Sequence, residues 1–66
     1  MHPADIKAAI QKAGTTQAAI ARRLGVTKVQ VRRAVYAIDR SRRVEAAISR
    51  VTGISARRLW PQWYAA

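Results

Sequence analysis

The sequence predicts an all-α fold, a compact bundle of four to five short helices, on three observations. Apolar residues recur at three- and four-residue spacing within each segment. Ser and Thr at helix starts, and Gly at helix ends, punctuate the chain at short intervals. The apolar content is dominated by Ala, Val, Ile and Leu with no Phe, which suits close approach of helices better than a broad sheet. The 66 residues suffice for one domain, 1–66, with a modest core, because a chain of this size buries only about 60% of the surface it exposes when unfolded.

The first helix opens at His2 and Pro3, proline being suited to the first helical position, where its missing N–H would have had no partner. His2 is expected as a cap or surface residue. Asp5 lies in the first turn, favourably placed for the helix dipole. Ile6, Ala9, Ile10 and Ala13 form an apolar stripe, Lys7, Gln11 and Lys12 are expected in solvent, and Gly14 ends the helix. Thr15 and Thr16 stand where the second helix needs an N-cap, and that helix runs from Gln17 to Leu24 with Ile20, Ala21 and Leu24 inward.

Gly25 then supplies a residue tolerant of positive φ, and Thr27 with Gln30 has the spacing of a capping box for a third helix over 27–38. Ala21 is small where the second and third helices would cross, and Val26, Val31 and Ala34 close the core beneath them. This pattern predicts a helix-turn-helix over Thr16–Tyr36. The β-branched Val29, Val31 and Val35 could mark a strand, but the three- and four-residue spacing of the apolar positions favours helix.

Asp39 to Arg43 reads as a polar turn in which Asp39 or Ser41 can cap a fourth helix. That helix carries Val44, Ala47, Ile48 and Val51 inward, with Glu45, Ser49 and Arg50 outside, and stops at Gly53. Ser55 caps a last short turn with Leu59 and Trp60 inward, Pro61 is expected to end the regular structure, and Trp63 and Tyr64 to lie as a lid over the core.

Charge narrows the function. Thirteen Lys and Arg stand against three acids, a net charge of +10. Such a compact chain repels itself, which a polyanionic partner relieves. A membrane surface is a poor fit, because no apolar run approaches the ~20 residues of a span and the helix faces carry Ala, Val and Ile rather than bulky interfacial residues. No signal-peptide pattern opens the chain, so a cytoplasmic protein is expected. Without Cys, and with a single His, neither a disulfide nor a metal cluster is expected. The scattered Asp5, Asp39 and Glu45 offer no carboxylate pair or triad, so no enzyme activity, cofactor or small-molecule substrate is expected.

The third helix points to double-stranded DNA. At about 100° per residue, Val31, Ala34, Val35 and Ile38 fall in one arc, and Val29, Arg32, Arg33 and Tyr36 in the opposite one. Two guanidinium groups beside a valine surface and a phenol are side chains that meet guanine edges, thymine methyls and phosphates in a major groove. A merely solvated helix face would mix in acids for pairing, yet none occurs between Asp5 and Asp39. Lys28, Val29, Arg32, Arg33 and Tyr36 are therefore the candidate base contacts. Gln17, Arg22, Arg23, Arg40, Arg42 and Arg43, which flank the helix at its two ends, are the candidate phosphate contacts.

Gln17, Ala21, Gly25 and Val31 match the turn pattern of the Cro and repressor class of phage regulators. The opening HPADIKAAI, the GTT before the second helix and the closing LWPQWY together resemble the Ner-like family of phage Mu-type regulators. The resemblance covers nearly the whole chain and implies a lambda-repressor-like DNA-binding domain that represses phage promoters, or a host-borne relative of one. The chain departs from that family at DRSRR, where a less basic, Pro-rich segment is common, and at Trp63, where Arg is common. The targeting module of a recombinase or transposase, and a nucleic-acid-binding protein without sequence preference, fit the same residues. The starting Met and the aromatic close favour a complete small protein over a module. The narrow apolar stripes, largely used by the core, predict a monomer in solution that pairs on DNA.

Overall fold

In the computed structural model, which describes residues 1–64, the chain forms α1 (Pro3–Lys12), α2 (Gln17–Leu24), α3 (Lys28–Val35), α4 (Arg42–Thr52) and two four-residue helices, α5 (Ala56–Leu59) and α6 (Pro61–Tyr64). α2 and α3 pack on each other across the Gly25 turn, and α4 runs behind them against α1, α2, α3 and α5. Ile6 and Ile10 from α1, Ile20 and Ala21 from α2, and Val31, Ala34 and Val35 from α3 close on Val44, Ile48, Leu59 and Trp60. Ala21 is 4% exposed at the crossing, so its single methyl leaves no room for a longer side chain.

The starts of α1 to α5 are each fixed by a side-chain acceptor. His2 Nδ1 accepts from the Ala4 N–H at 3.0 Å, and Thr16 Oγ1 from Ala19 at 3.0 Å. Thr27 and Gln30 form a reciprocal capping box: Thr27 Oγ1 accepts from the Gln30 N–H at 3.1 Å while Gln30 Oε1 accepts from the Thr27 N–H at 2.8 Å. Ser41 and Ser55 cap α4 and α5 through Val44 and Arg58. α3, with only eight residues, gains from this double cap, because short helices are marginal on their own.

The ends of α1, α2 and α3 share one geometry. In each, a left-handed residue lets two N–H groups fold back on the last carbonyls: Gly14 and Thr15 on Gln11 and Ile10, Gly25 and Val26 on Arg22 and Ala21, Ala37 and Ile38 on Ala34 and Arg33. At α3 the left-handed position is filled by Ala37, with φ of 58°, where the other two use glycine.

That residue corrects the expected extent of the third helix. α3 stops at Val35, not at residue 38, and the reversal at Ala37 turns Ile38 off the core arc, leaving it 59% exposed. Three further expectations change. Glu45, expected outside, is 2% exposed, because the segments before and after α4 fold over it. Pro61, expected as a stop, is the first residue of α6, the position where proline is pre-organised. Ala13, expected in the stripe of α1, is exposed at its end.

A left-handed alanine costs about 1–2 kcal/mol relative to its ordinary conformations, part of which glycine returns as unfolded-state entropy. Ala37→Gly is therefore expected to stabilise the domain by about 0.5–1 kcal/mol, read as a melting temperature raised by several degrees in thermal denaturation. An unchanged or lower value would show that Ala37 carries no strain.

Candidate nucleic-acid interface

The exposed side of α3 and the reversal after it make one continuous surface. Val29, Arg32, Arg33, Tyr36 and Ile38 line a shared shallow depression, with Val29 62% and Tyr36 38% exposed. The sequence placed four of these together. Ile38 joins them only through the left-handed Ala37, a signal that periodicity cannot carry because the residue there is not glycine.

Arg33 is not free. Its Nε donates to Asp39 Oδ2 at 2.5 Å, and the carboxylate, by hydrogen bond and charge, raises the pKa of the guanidinium further. Tyr36 receives a partner that sequence reasoning missed. Lys7, from α1, donates from Nζ to Tyr36 Oη at 2.8 Å. That ammonium already touches the hydroxyl, so its 5.1 Å distance from the ring centroid places it at the polar end of the ring and not over its face. Arg32 lies 5.6 Å from the same centroid. Lys7, through its hydrogen bond and then its charge, holds the phenol pKa below its usual value, and Arg32 adds to the effect. With Lys7 donating, the Tyr36 hydroxyl keeps its own proton to give to an external acceptor.

Beside this surface, Lys7, Gln11, Thr16, Gln17, Ala18 and Lys28 line a second depression where α1 meets the starts of α2 and α3. Gln17 and Lys28, assigned to different roles from sequence, therefore sit together with Lys7. α1 brings Lys7 there by tertiary packing, so nothing local to its own helix marks it.

The flanking arginines separate into two groups. Among the described residues Arg22, Arg23 and Arg42 form no ion pair, and all three are exposed. Arg43 Nη2 donates to the Leu24 carbonyl at 2.7 Å, closing the C-terminal end of α2 where a cation suits the dipole. Arg40 turns toward α4 and α6. Its Nε and Nη2 each lie 3.4 Å from a Glu45 oxygen, and its guanidinium stands 5.1 Å and 5.0 Å from the Trp63 and Tyr64 rings. Tyr64 Oη also donates to Glu45 Oε1 at 2.6 Å. The buried carboxylate is thereby satisfied from two sides, as burial of a charge requires.

α2, the Gly25 turn and α3, with an exposed basic face on the second helix, define a helix-turn-helix domain of the DNA-binding class. The chain matches a family model over residues 1–66, and it belongs to that family, described as winged helix-turn-helix DNA-binding. No curated protein and no solved structure is similar enough to the chain to count as a match. The described residues contain no strand, so among them the wing of that description has no counterpart; α4, α5 and α6 follow α3 instead. Among them, too, no helix is long and apolar enough to cross a membrane.

Arg40→Ala is expected to act on the fold more than on DNA. Removing it leaves Glu45 buried with Tyr64 as its remaining partner, and the melting temperature should fall by about 5 °C or more. Affinity for duplex, measured well below that transition, should change by less than about threefold. A variant that melts like the parent but binds ten times more weakly would return Arg40 to the phosphate contacts.

Proposed function

We propose that the chain is a sequence-specific, double-stranded DNA-binding transcriptional regulator, a repressor of phage or prophage origin acting in the bacterial cytoplasm as a single domain. α3 lies in the major groove, with Lys28, Val29, Arg32, Arg33 and Tyr36 toward the bases. Gln17, Arg22, Arg23 and Arg42 meet the phosphates, while Arg40 and Arg43 have first claims elsewhere, on Glu45 and on the Leu24 carbonyl. The carrying observation is the exposed side of α3: two arginines, a valine and a tyrosine on a helix capped at both ends. Rigid presentation of that kind suits base readout, where geometry decides, more than unspecific coating, where charge alone suffices. The Ner-like opening and close of the sequence support the phage assignment.

Selection of bound sites from random duplexes should yield a defined motif. On that motif Arg32→Ala and Arg33→Ala should each weaken binding by roughly tenfold to a hundredfold and relax preference at particular base pairs, with the fold intact by circular dichroism. Equal loss on selected and scrambled duplexes would make both residues phosphate clamps. Failure to select any motif would remove sequence specificity altogether.

We further propose a monomer in solution that pairs on a two-part site. The C-terminal aromatics are engaged internally: Trp60 is fully buried, Trp63 stacks on it with ring centroids 5.5 Å apart, and Tyr64 is held by Glu45. Two chains of net charge +10 also repel until screened by salt or held on DNA. Sedimentation without DNA should give the monomer mass at micromolar concentration; a persistent dimer there would refute the reading.

A further inference from the structure

Arg33 and Asp39 are both exposed, their side chains 46% and 61% accessible, so the pair between them is a weak support for the fold. Its geometry is nonetheless specific. Contact is made through Nε alone, at 2.5 Å, and the carboxylate is brought back to the end of α3 by the left-handed turn at Ala37. A guanidinium offers five N–H groups on a rigid plane, and it can grip a two-acceptor partner by its Nε side or by its two terminal nitrogens. Asp39 occupies the Nε side. What remains is the terminal fork.

We propose that Asp39 is a positioning residue for base readout: it holds Arg33 by Nε and leaves Nη1 and Nη2 as a fixed fork for O6 and N7 of one guanine, with the exposed side chains of Val29 and Ile38 beside it. The inference rests on the proposed function, since it takes Arg33 to face a base. Two physical effects follow from the contact. A tethered guanidinium has less rotamer freedom to lose on binding than one free in solvent. The carboxylate also sets a negative charge beside Arg33, which disfavours a phosphate as its partner and leaves the neutral guanine edge, with its two acceptors, as the better match. Adenine presents an amino donor to the same fork and thymine only one acceptor, so both are rejected. Asp39 thus lowers overall attraction to DNA while sharpening the choice of base.

The test uses the full chain and sites selected from random duplexes, with the parent, Asp39→Asn, Asp39→Ala, Arg33→Ala, Arg33→Lys and the Arg33→Ala/Asp39→Ala double variant. Melting temperatures should stay close to the parent's, since both side chains are exposed. In Asp39→Asn and Asp39→Ala, preference for guanine at one base pair should fall by roughly tenfold, while binding to scrambled duplex holds or strengthens. Arg33→Ala and Arg33→Lys should lose preference at that same base pair, the lysine keeping the charge but not the fork. Adding Asp39→Ala to Arg33→Ala should then change the preference by less than about twofold. Should the Asp39 variants keep the parent's guanine preference while Arg33→Ala loses it, positioning by Asp39 is overturned and readout by Arg33 stands. Equal strengthening on selected and scrambled duplexes with unchanged preference overturns it as well, reducing Asp39 to a repelling charge. An Arg33→Ala variant with the parent's preference at every base pair overturns both this inference and the role of Arg33 on which it rests.

Discussion

The hydrogen bond from Trp60 Nε1 to the Ala34 carbonyl, 2.9 Å long and fully buried, is the fastening on which the rest of the structure depends. An indole buried this completely needs an acceptor for its N–H. The carbonyls of the last turn of a helix lack intrahelical partners. That of Ala34 takes the Ala37 N–H in the turn after α3 and has a second lone pair for the indole, so the bond gives Trp60 its acceptor across 26 residues of sequence; leaving that indole N–H unpaired would cost about 1–3 kcal/mol. Alanine at position 34, itself 0% exposed, lets the indole come close to the backbone of α3. From Trp60 the arrangement spreads outward: Trp63 stacks on it, Arg40 stands by Trp63, and Tyr64 reaches Glu45. The inner side of α3 is thus seated on the C-terminal segment, and its outer side is presented accordingly.

Much of the fold was legible because it is written in short-range chemistry. Thr16, Thr27 with Gln30, Ser41 and Ser55 cap the helices they precede, and Gly14, Gly25 and Gly53 take the left-handed conformation at helix ends. The unreadable parts share a cause, which is that their determinants lie far away in the chain. Glu45 sits at the margin of the apolar stripe of α4, and only Tyr64 and Arg40, folding in from either side, bury it. Lys7 looks like a solvent residue within α1 and meets Tyr36 only after α1 packs beside α3. The end of α3 misled for a different reason: Ala37 is a good helix former by propensity, yet it occupies a position that favours glycine. The outer face of α3 was read from Val29, Arg32, Arg33 and Tyr36; that Arg33 is already held by Asp39 was not, since six residues is no helical neighbour spacing.

The acids are few and their placement is uneven in consequence. Two of the three, Asp39 and Glu45, each engage an arginine, one in solvent at the end of α3 and one in the interior. The remaining cations are left to repel one another over a small body, a cost the compact state bears when no polyanion is bound. Glu45 shows how a buried charge is tolerated in such a chain: the guanidinium of Arg40 and the hydroxyl of Tyr64 reach it from segments on either side of α4.

The length of α3 sets a limit of another kind. Eight residues at about 1.5 Å each make a rod of about 12 Å, matching about three or four base pairs at roughly 3.4 Å per step. For a chain that reads bases through this helix, the vocabulary is a word of that length, which recurs by chance roughly every 60 to 250 base pairs, against the roughly 10⁶ to 10⁹ competing positions of a genome. One copy of α3 therefore holds too little information to name a single locus. A unique address requires a second contact at fixed spacing, or a stretch of duplex whose own stiffness and groove width select it.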